Sequence, residues 1–141
     1  MRGARPYPMA LAVEKSIREG GIDSALILDF DLHFGDGTNA FFRDRQDVAY
    51  HQLGPVWELP SLLQDIEECD LIGLSAGFDR HIRDWGGELA PGDYLEIGRQ
   101  VGAFSRNLCP DQLFALLEGG YNPHVLGEGI QALLAGLEES I

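Results

Sequence analysis

The chain has 141 residues, enough for one domain with a three-layer core. With 45% hydrophobic and 23% charged residues, it has the composition of a folded chain, not a disordered one. A net charge of −13 repels phosphate backbones and argues against nucleic acid as a partner. No stretch approaches the ~20 apolar residues of a membrane span, and "MRGARPYPMALAVEKS" turns polar too soon for a signal peptide. Cys69 and Cys109 lie far apart and outside any C-x-x-C, so they read as thiols in a reducing compartment. A cytoplasmic chain without a membrane partner is expected.

In chain order, Pro8 suits a first helical turn, and Met9, Val13 and Ile17 share one helical face. Gly20-Gly21 stops that helix. Ala25 to Leu28 is a continuous apolar run, the pattern of a strand covered on both faces. It leads into "DFDLHFGDG", Asp29 to Gly37, read as a polar strand end and a glycine-rich turn. Val48 to Leu53 is a weaker strand. Pro60 opens a short helix with Leu62, Leu63 and Ile66 inward, and Cys69 is placed at a helix end. Leu71 to Leu74 is a third strand. Gly92 to Leu108 is helical, with Tyr94, Ile97, Val101, Phe104 and Leu108 near one face. Leu113 to Leu117 is a fourth strand. Asn122 caps and Pro123 opens a final helix carrying Val125, Ile130, Leu133, Leu134 and Leu137. Strands alternating with helices predict a three-layer α/β fold: a mainly parallel sheet with helices on both faces, in one domain over residues 1–141.

Three polar, glycine-punctuated stretches each follow a predicted strand: "DFDLHFGDG", "SAGFDRHIRD" and "EGGYN". In parallel α/β sheets, ligands bind beyond the carboxyl ends of the strands, so the three should meet. Asp31 and His33 alternate to face the same way, and Asp79 on the neighbouring motif completes an O/N/O set. Zinc, iron(II), cobalt or manganese accepts such a set, can activate water and can polarise a carbonyl. Tyr121, on a Gly-Gly turn, could then donate a hydrogen bond to a developing oxyanion.

In this order the motifs resemble those of the histone deacetylase and acetylpolyamine amidohydrolase superfamily, whose fold is arginase-like. The matching segments are Asp29–Gly37, Ser75–Asp84 and Glu118–Asn122, within a resemblance running from about Arg5 to the C-terminus. The resemblance implies Asp31, His33 and Asp79 as zinc ligands and Tyr121 as the transition-state tyrosine. It implies hydrolysis of an acetyl amide, with a small acetylated amine or acetyl-lysine as substrate.

Asp29 and the main chain around Asp31 and His33 resemble the family's monovalent-cation site. The serine and following carbonyl expected from the next strand fall at Gln52 and Leu53, which counts against potassium. The family's tandem histidines, its general acid/base, would lie upstream of the matched segment and have no counterpart here. Asp29 and Asp36 resemble the carboxylates that hold those histidines and are expected to lack partners. The family's long glycine-rich loop is cut to roughly Gly54–Glu58. His51, His81 and His124 read as structural or surface residues, and Asp84 as structural.

A truncated, non-catalytic homologue that binds metal or serves assembly is therefore the alternative reading. A shortened fold should also expose surface, which predicts self-association, most simply a homodimer. "LILDFD" also looks like the opening of haloacid-dehalogenase-type phosphatases, but the one lysine, Lys15, sits on an early helix, far from any phosphate.

Overall fold

The computed structural model describes residues 7–139. The elements run α1 (Pro8–Glu19), β1 (Ala25–Asp29), α2 (Asp36–Phe42), β2 (Val48–Gln52), α3 (Leu59–Gln64), β3 (Leu71–Ala76), α4 (Pro91–Leu108), β4 (Leu113–Leu117) and α5 (Pro123–Glu139). The four strands form one parallel sheet in the order β2-β1-β3-β4. β1 and β3 are central and buried at every position, which is why Ala25–Leu28 and Leu71–Leu74 are apolar runs. β2 and β4 are edges and are only partly covered.

Side chains alternate across β1. Leu26 and Leu28 enter a core with Leu59, Leu63, Tyr94, Ile97, Val101 and Leu133, on the α3, α4 and α5 side. Ala25 and Ile27 enter the opposite core with Met9, Val13 and Phe42, on the α1 and α2 side. The three-layer parallel architecture expected from the sequence is the one observed.

β1 leads into α2 on one face, and β3 leads by a longer loop into α4 on the other. The carboxyl ends of β1 and β3 therefore flank the point where the chain switches direction, the place where open α/β sheets form their clefts. Register fixes what meets there: Asp29 lies beside Gln52 of β2 and Ser75 of β3.

Helix ends follow local chemistry. Asn122 Oδ1 accepts the His124 N–H at 3.1 Å, capping α5, and Pro123 opens the helix. Asp93 reaches back to the Ala90 N–H at 2.8 Å and secures the start of α4. α4 and α5 pack unusually close at Gly98 and Gly136. A Cβ at Gly98 would lie 2.3 Å from the Leu133 carbonyl oxygen, so only glycine lets the two backbones approach this way.

Three local expectations are corrected. The "FGDG" segment is not only a turn: Asp36–Phe42 is helical, with Gly35 at its N-cap, and it buries Thr38 and Phe42 four residues apart. Cys69 does not end a helix. α3 stops at Gln64, and Cys69 is buried in the loop before β3 as a free thiol. Leu108 is exposed at the end of α4, while Tyr94, Ile97 and Val101 carry the buried face.

Candidate metal centre

β1 ends at Asp29, so the pleat of a strand does not align Asp31 with His33. The expected alternation is replaced by two successive side-chain turns. Asp29 Oδ1 accepts the Asp31 N–H at 2.9 Å, and Asp31 Oδ1 accepts the His33 N–H at 2.9 Å. These turns curl the chain back over the sheet edge. The other two loops are tied to it through carboxylates. Asp79 Oδ1, after β3, accepts the Leu32 N–H at 3.0 Å, and Asp31 Oδ2 accepts the N–H of Gly119, after β4, at 2.7 Å.

Asp31, His33 and Asp79 are thereby assembled, with ligand atoms all within 4.8 Å of one another. His33 Nδ1 stands 3.2 Å from Asp79 Oδ2 and 3.5 Å from Asp31 Oδ1. Two observations fit a divalent cation. Asp79 Oδ2 is buried and has no hydrogen-bond partner among the described residues, a costly state for a carboxylate oxygen without a cation. Gly119 leaves the space beside it open: a Cβ there would lie 2.4 Å from Asp79 Oδ2 and 2.5 Å from Asp31 Oδ2. Burial holds the Asp79 carboxyl above the usual carboxylate range, reinforced by the nearby Asp31 charge. Oxygen and imidazole donors suit zinc and its first-row neighbours.

A cleft of about 420 Å³ opens over the triad and is lined by Asp29, Asp31, His33, Ser75, Glu118 and Tyr121. Burial, then the Asp29 and Asp31 charges, raise the Glu118 carboxyl as well. A larger cleft, of about 870 Å³, shares Asp31 but is lined mainly by residues 52–57, Arg80 and the start of α4.

Tyr121 is half exposed at the triad's rim. Burial and the Asp79, Asp31 and Asp84 carboxylates raise its hydroxyl, so it stays a hydrogen-bond donor at neutral pH. Its backbone is fixed by Asp84, whose Oδ2 accepts the N–H groups of Tyr121 and Asn122, each at 2.8 Å. Burial opposes ionisation of Asp84, but the N–H groups of Asn122, Trp85 and Tyr121 outweigh it and lower the carboxyl. Trp85 was not singled out from the sequence. Its indole stacks on the Tyr121 ring with centroids 4.0 Å apart. An exposed tryptophan one residue after Asp84 was the available signal.

Asp29 does not lack partners, contrary to expectation. Besides the Asp31 N–H, it accepts the Tyr50 hydroxyl at 2.6 Å, and that hydroxyl accepts the Gly35 N–H at 3.0 Å. Burial still raises the Asp29 carboxyl despite these bonds. Asp36 is exposed in the first turn of α2, where a negative charge suits the helix N-terminus.

The oxygens expected around a monovalent cation do not fit one. The Asp29 carbonyl accepts the Leu53 N–H at 2.7 Å, and the Asp31 carbonyl is approached by Gln52 Nε2 at 3.4 Å. The Leu53 carbonyl accepts Nη1 of the buried Arg80 at 2.8 Å. Each of these carbonyls thus already accepts, or is approached by, a donor of the chain itself. His81 is buried, with Nε2 3.0 Å from Glu128 and Nδ1 accepting the Arg83 N–H. His51 and His124 are exposed on β2 and α5.

The histone deacetylase domain family matches residues 8–53 and 59–137. The chain belongs to the histone deacetylase family. The break in the match, residues 54–58, coincides with the segment where a shortened loop is expected from the sequence. The chain is 32% identical over 175 residues to a probable deacetylase of Methanothermobacter thermautotrophicus, covering 92% of this chain and 51% of that one. It is 28% identical to a probable deacetylase of Archaeoglobus fulgidus, covering 94% of this chain and 49% of that one. Against the chloroplastic histone deacetylase 14 of Arabidopsis thaliana it is 27% identical, covering 86% and 38%. The histone deacetylase Clr3 shares the fold with a TM-score of 0.75 at 20% identity, over 93% of this chain and 30% of that one. The chain thus spans about half, or less, of the length of these relatives.

No helix among the described residues is long and apolar enough to cross a membrane.

Proposed function

We propose that this chain carries the metal-holding half of a deacetylase site and acts on acetyl amides of the acetyl-lysine or acetylpolyamine type. The observation that carries the reading is the convergence of Asp31, His33 and Asp79 around Asp79 Oδ2, a buried oxygen that accepts no hydrogen bond among the described residues. Asp31, His33 and Asp79 would hold a zinc or similar ion, which when bound supplies Lewis acidity toward a carbonyl oxygen and acidifies water. Asp31 and Asp79 are preorganised by the Gly119 and Leu32 N–H groups, so they need not rearrange to receive the ion. The Tyr121 hydroxyl, held protonated by burial and then by the Asp79, Asp31 and Asp84 carboxylates, would donate toward oxygen as negative charge develops there. Removing such a donor costs about 10²–10³ in kcat.

A second reading is favoured by one observation: among the described residues, no histidine beyond His33 reaches the triad. A general acid/base contributes about 10²–10⁴ in rate, and on this reading the chain alone is a metal-binding or assembly homologue without turnover. A zinc titration followed by assays on an acetyl-lysine peptide and an acetylated polyamine separates the two. Slow, zinc-dependent release of acetate that falls in Tyr121→Phe supports the enzyme. Zinc binding without turnover at high protein concentration supports the second reading, and no zinc binding contradicts the enzyme and leaves only an assembly role.

The chain's own pairing is proposed on similar terms. β4 is an uncharged edge strand, Leu-Phe-Ala-Leu-Leu, with Leu117 exposed, and such edges recruit further strands. A homodimer by light scattering is the expected state, and a monomer across a concentration series would contradict it. Neither nucleic acid nor membrane is proposed as a partner.

A further inference from the structure

One side chain touches both halves of the candidate chemistry. The Trp85 indole stacks on Tyr121, centroids 4.0 Å apart and planes inclined by 22°. It also meets the His33 imidazole edge-on, at 6.4 Å and 81°. Two thirds of Trp85 is exposed, so it does little for the core. Its backbone is nevertheless anchored. The Trp85 N–H donates to Asp84 Oδ1 at 2.7 Å, while Asp84 Oδ2 accepts the Tyr121 and Asn122 N–H groups. The Arg83 carbonyl accepts the Asn122 side-chain amide at 2.6 Å. The loop after β3 therefore grips the loop after β4 through these three hydrogen bonds, through the Phe78 N–H on the Gly119 carbonyl at 2.7 Å, and through stacked rings.

We propose that Trp85 is a positioning residue that couples the metal ligand His33 to Tyr121, so that occupation of the triad fixes the Tyr121 ring. The proposal rests on the metal-binding reading above. Its physical basis is the geometry of a shared neighbour. His33 is largely exposed, with Nδ1 already facing Asp79 Oδ2 at 3.2 Å and Asp31 Oδ1 at 3.5 Å, and an ion held there would lock that rotamer. Engaging that atom fixes the imidazole plane, and the edge-on contact then fixes the indole. The indole in turn restricts the Tyr121 ring, whose backbone Asp84 already holds. Aromatic pairs prefer offset-stacked and edge-to-face arrangements, and both occur here around one indole. A pairing of this kind is worth a few-fold to about tenfold in the population of the paired rotamer.

The test uses NMR of the whole chain with ¹³C-labelled tyrosine rings, Tyr121 being assigned by its loss in Tyr121→Phe. Zinc is the probe, and its stoichiometry is read separately by competition with a chromogenic chelator. In the unsubstituted chain, Tyr121 ring signals should lie upfield through stacking and shift further as zinc fills one site. In Trp85→Ala, zinc should still bind one equivalent, within about threefold of the original affinity. The upfield position should vanish, and the zinc response of Tyr121 should fall at least threefold. Trp85→Phe should restore most of both.

A Tyr121 response to zinc that is equal in Trp85→Ala and the unsubstituted chain would overturn the coupling. So would zinc binding that leaves Tyr121 unmoved in the unsubstituted chain. Failure of the unsubstituted chain to bind zinc would overturn the coupling and the metal-binding reading together. The chelator measurement therefore distinguishes the two failures.

Discussion

The ends of β1 and β3 each bury an aspartate, and the two differ in one atom. At the end of β1, both oxygens of Asp29 are engaged, one by the Asp31 N–H and the other by the Tyr50 hydroxyl. At the end of β3, Asp79 has one oxygen on the Leu32 N–H and the other, Oδ2, on no donor among the described residues. Burial raises both carboxyls. A satisfied buried carboxylate shapes its loop, as Asp29 does by turning the chain toward Asp31. A half-satisfied one beside a second carboxylate and an imidazole is a cation site in waiting. Residue type and burial do not separate the two roles; the hydrogen-bond inventory does.

The largest effect should come from removing the unsatisfied carboxylate. Asp79→Ala is expected to weaken zinc binding by more than about 100-fold, because even groups one step behind the ligands are worth about 10–100-fold. Asp29→Asn should change it by less than about tenfold. Titration calorimetry checks both, and equal losses would erase the distinction between the two aspartates.

Filling the cradle beside Asp79 should come next. Gly119→Ala places a methyl group 2.4 Å from Asp79 Oδ2, and about a 10- to 100-fold loss of zinc affinity is expected with the fold retained by circular dichroism. On the Asp29 side the effect should fall on stability instead. Tyr50→Phe removes the hydroxyl that bonds Asp29 and should cost about 1–3 kcal/mol in urea unfolding, with zinc stoichiometry unchanged.

The smallest effect is in the pH dependence of the metal-free chain. The folded carboxyls of Asp29 and Asp79 lie above their ordinary values, so between about pH 3.9 and the raised values the folded state holds more protons than the unfolded one. Stability should therefore fall as pH rises through that window. Asp84, lowered in the fold, works oppositely and loses its contribution as pH falls through its folded value. Asp79→Asn should flatten the decline, as read from thermal midpoints across pH. Zinc should reverse it, since ligands bind deprotonated.

Much of this was legible from the sequence, for physical reasons that differ between elements. β1 and β3 were readable because strands buried on both faces read as near-continuous apolar runs, here Ala25–Leu28 and Leu71–Leu74. Their order, and the rule that clefts form beyond strand ends, brought Asp31, His33, Asp79 and Tyr121 into one neighbourhood. α2 was hidden because Gly35 and Gly37 mimic a turn; the burial of Thr38 and Phe42 four residues apart was its only periodic trace. The Tyr50–Asp29 bond was not legible, since it joins residues 21 apart through strand pairing. The Arg80 contact with the Leu53 carbonyl is likewise tertiary. Trp85 was missed because stacking has no sequence period.

The most direct test of the account is a cobalt(II) titration followed by visible absorption, which reports ligand geometry without requiring turnover. The account predicts one equivalent bound, with a saturating spectrum that persists in Asp29→Asn and disappears in Asp79→Ala. A chain that gives no spectrum, or the same spectrum in Asp79→Ala, would contradict it.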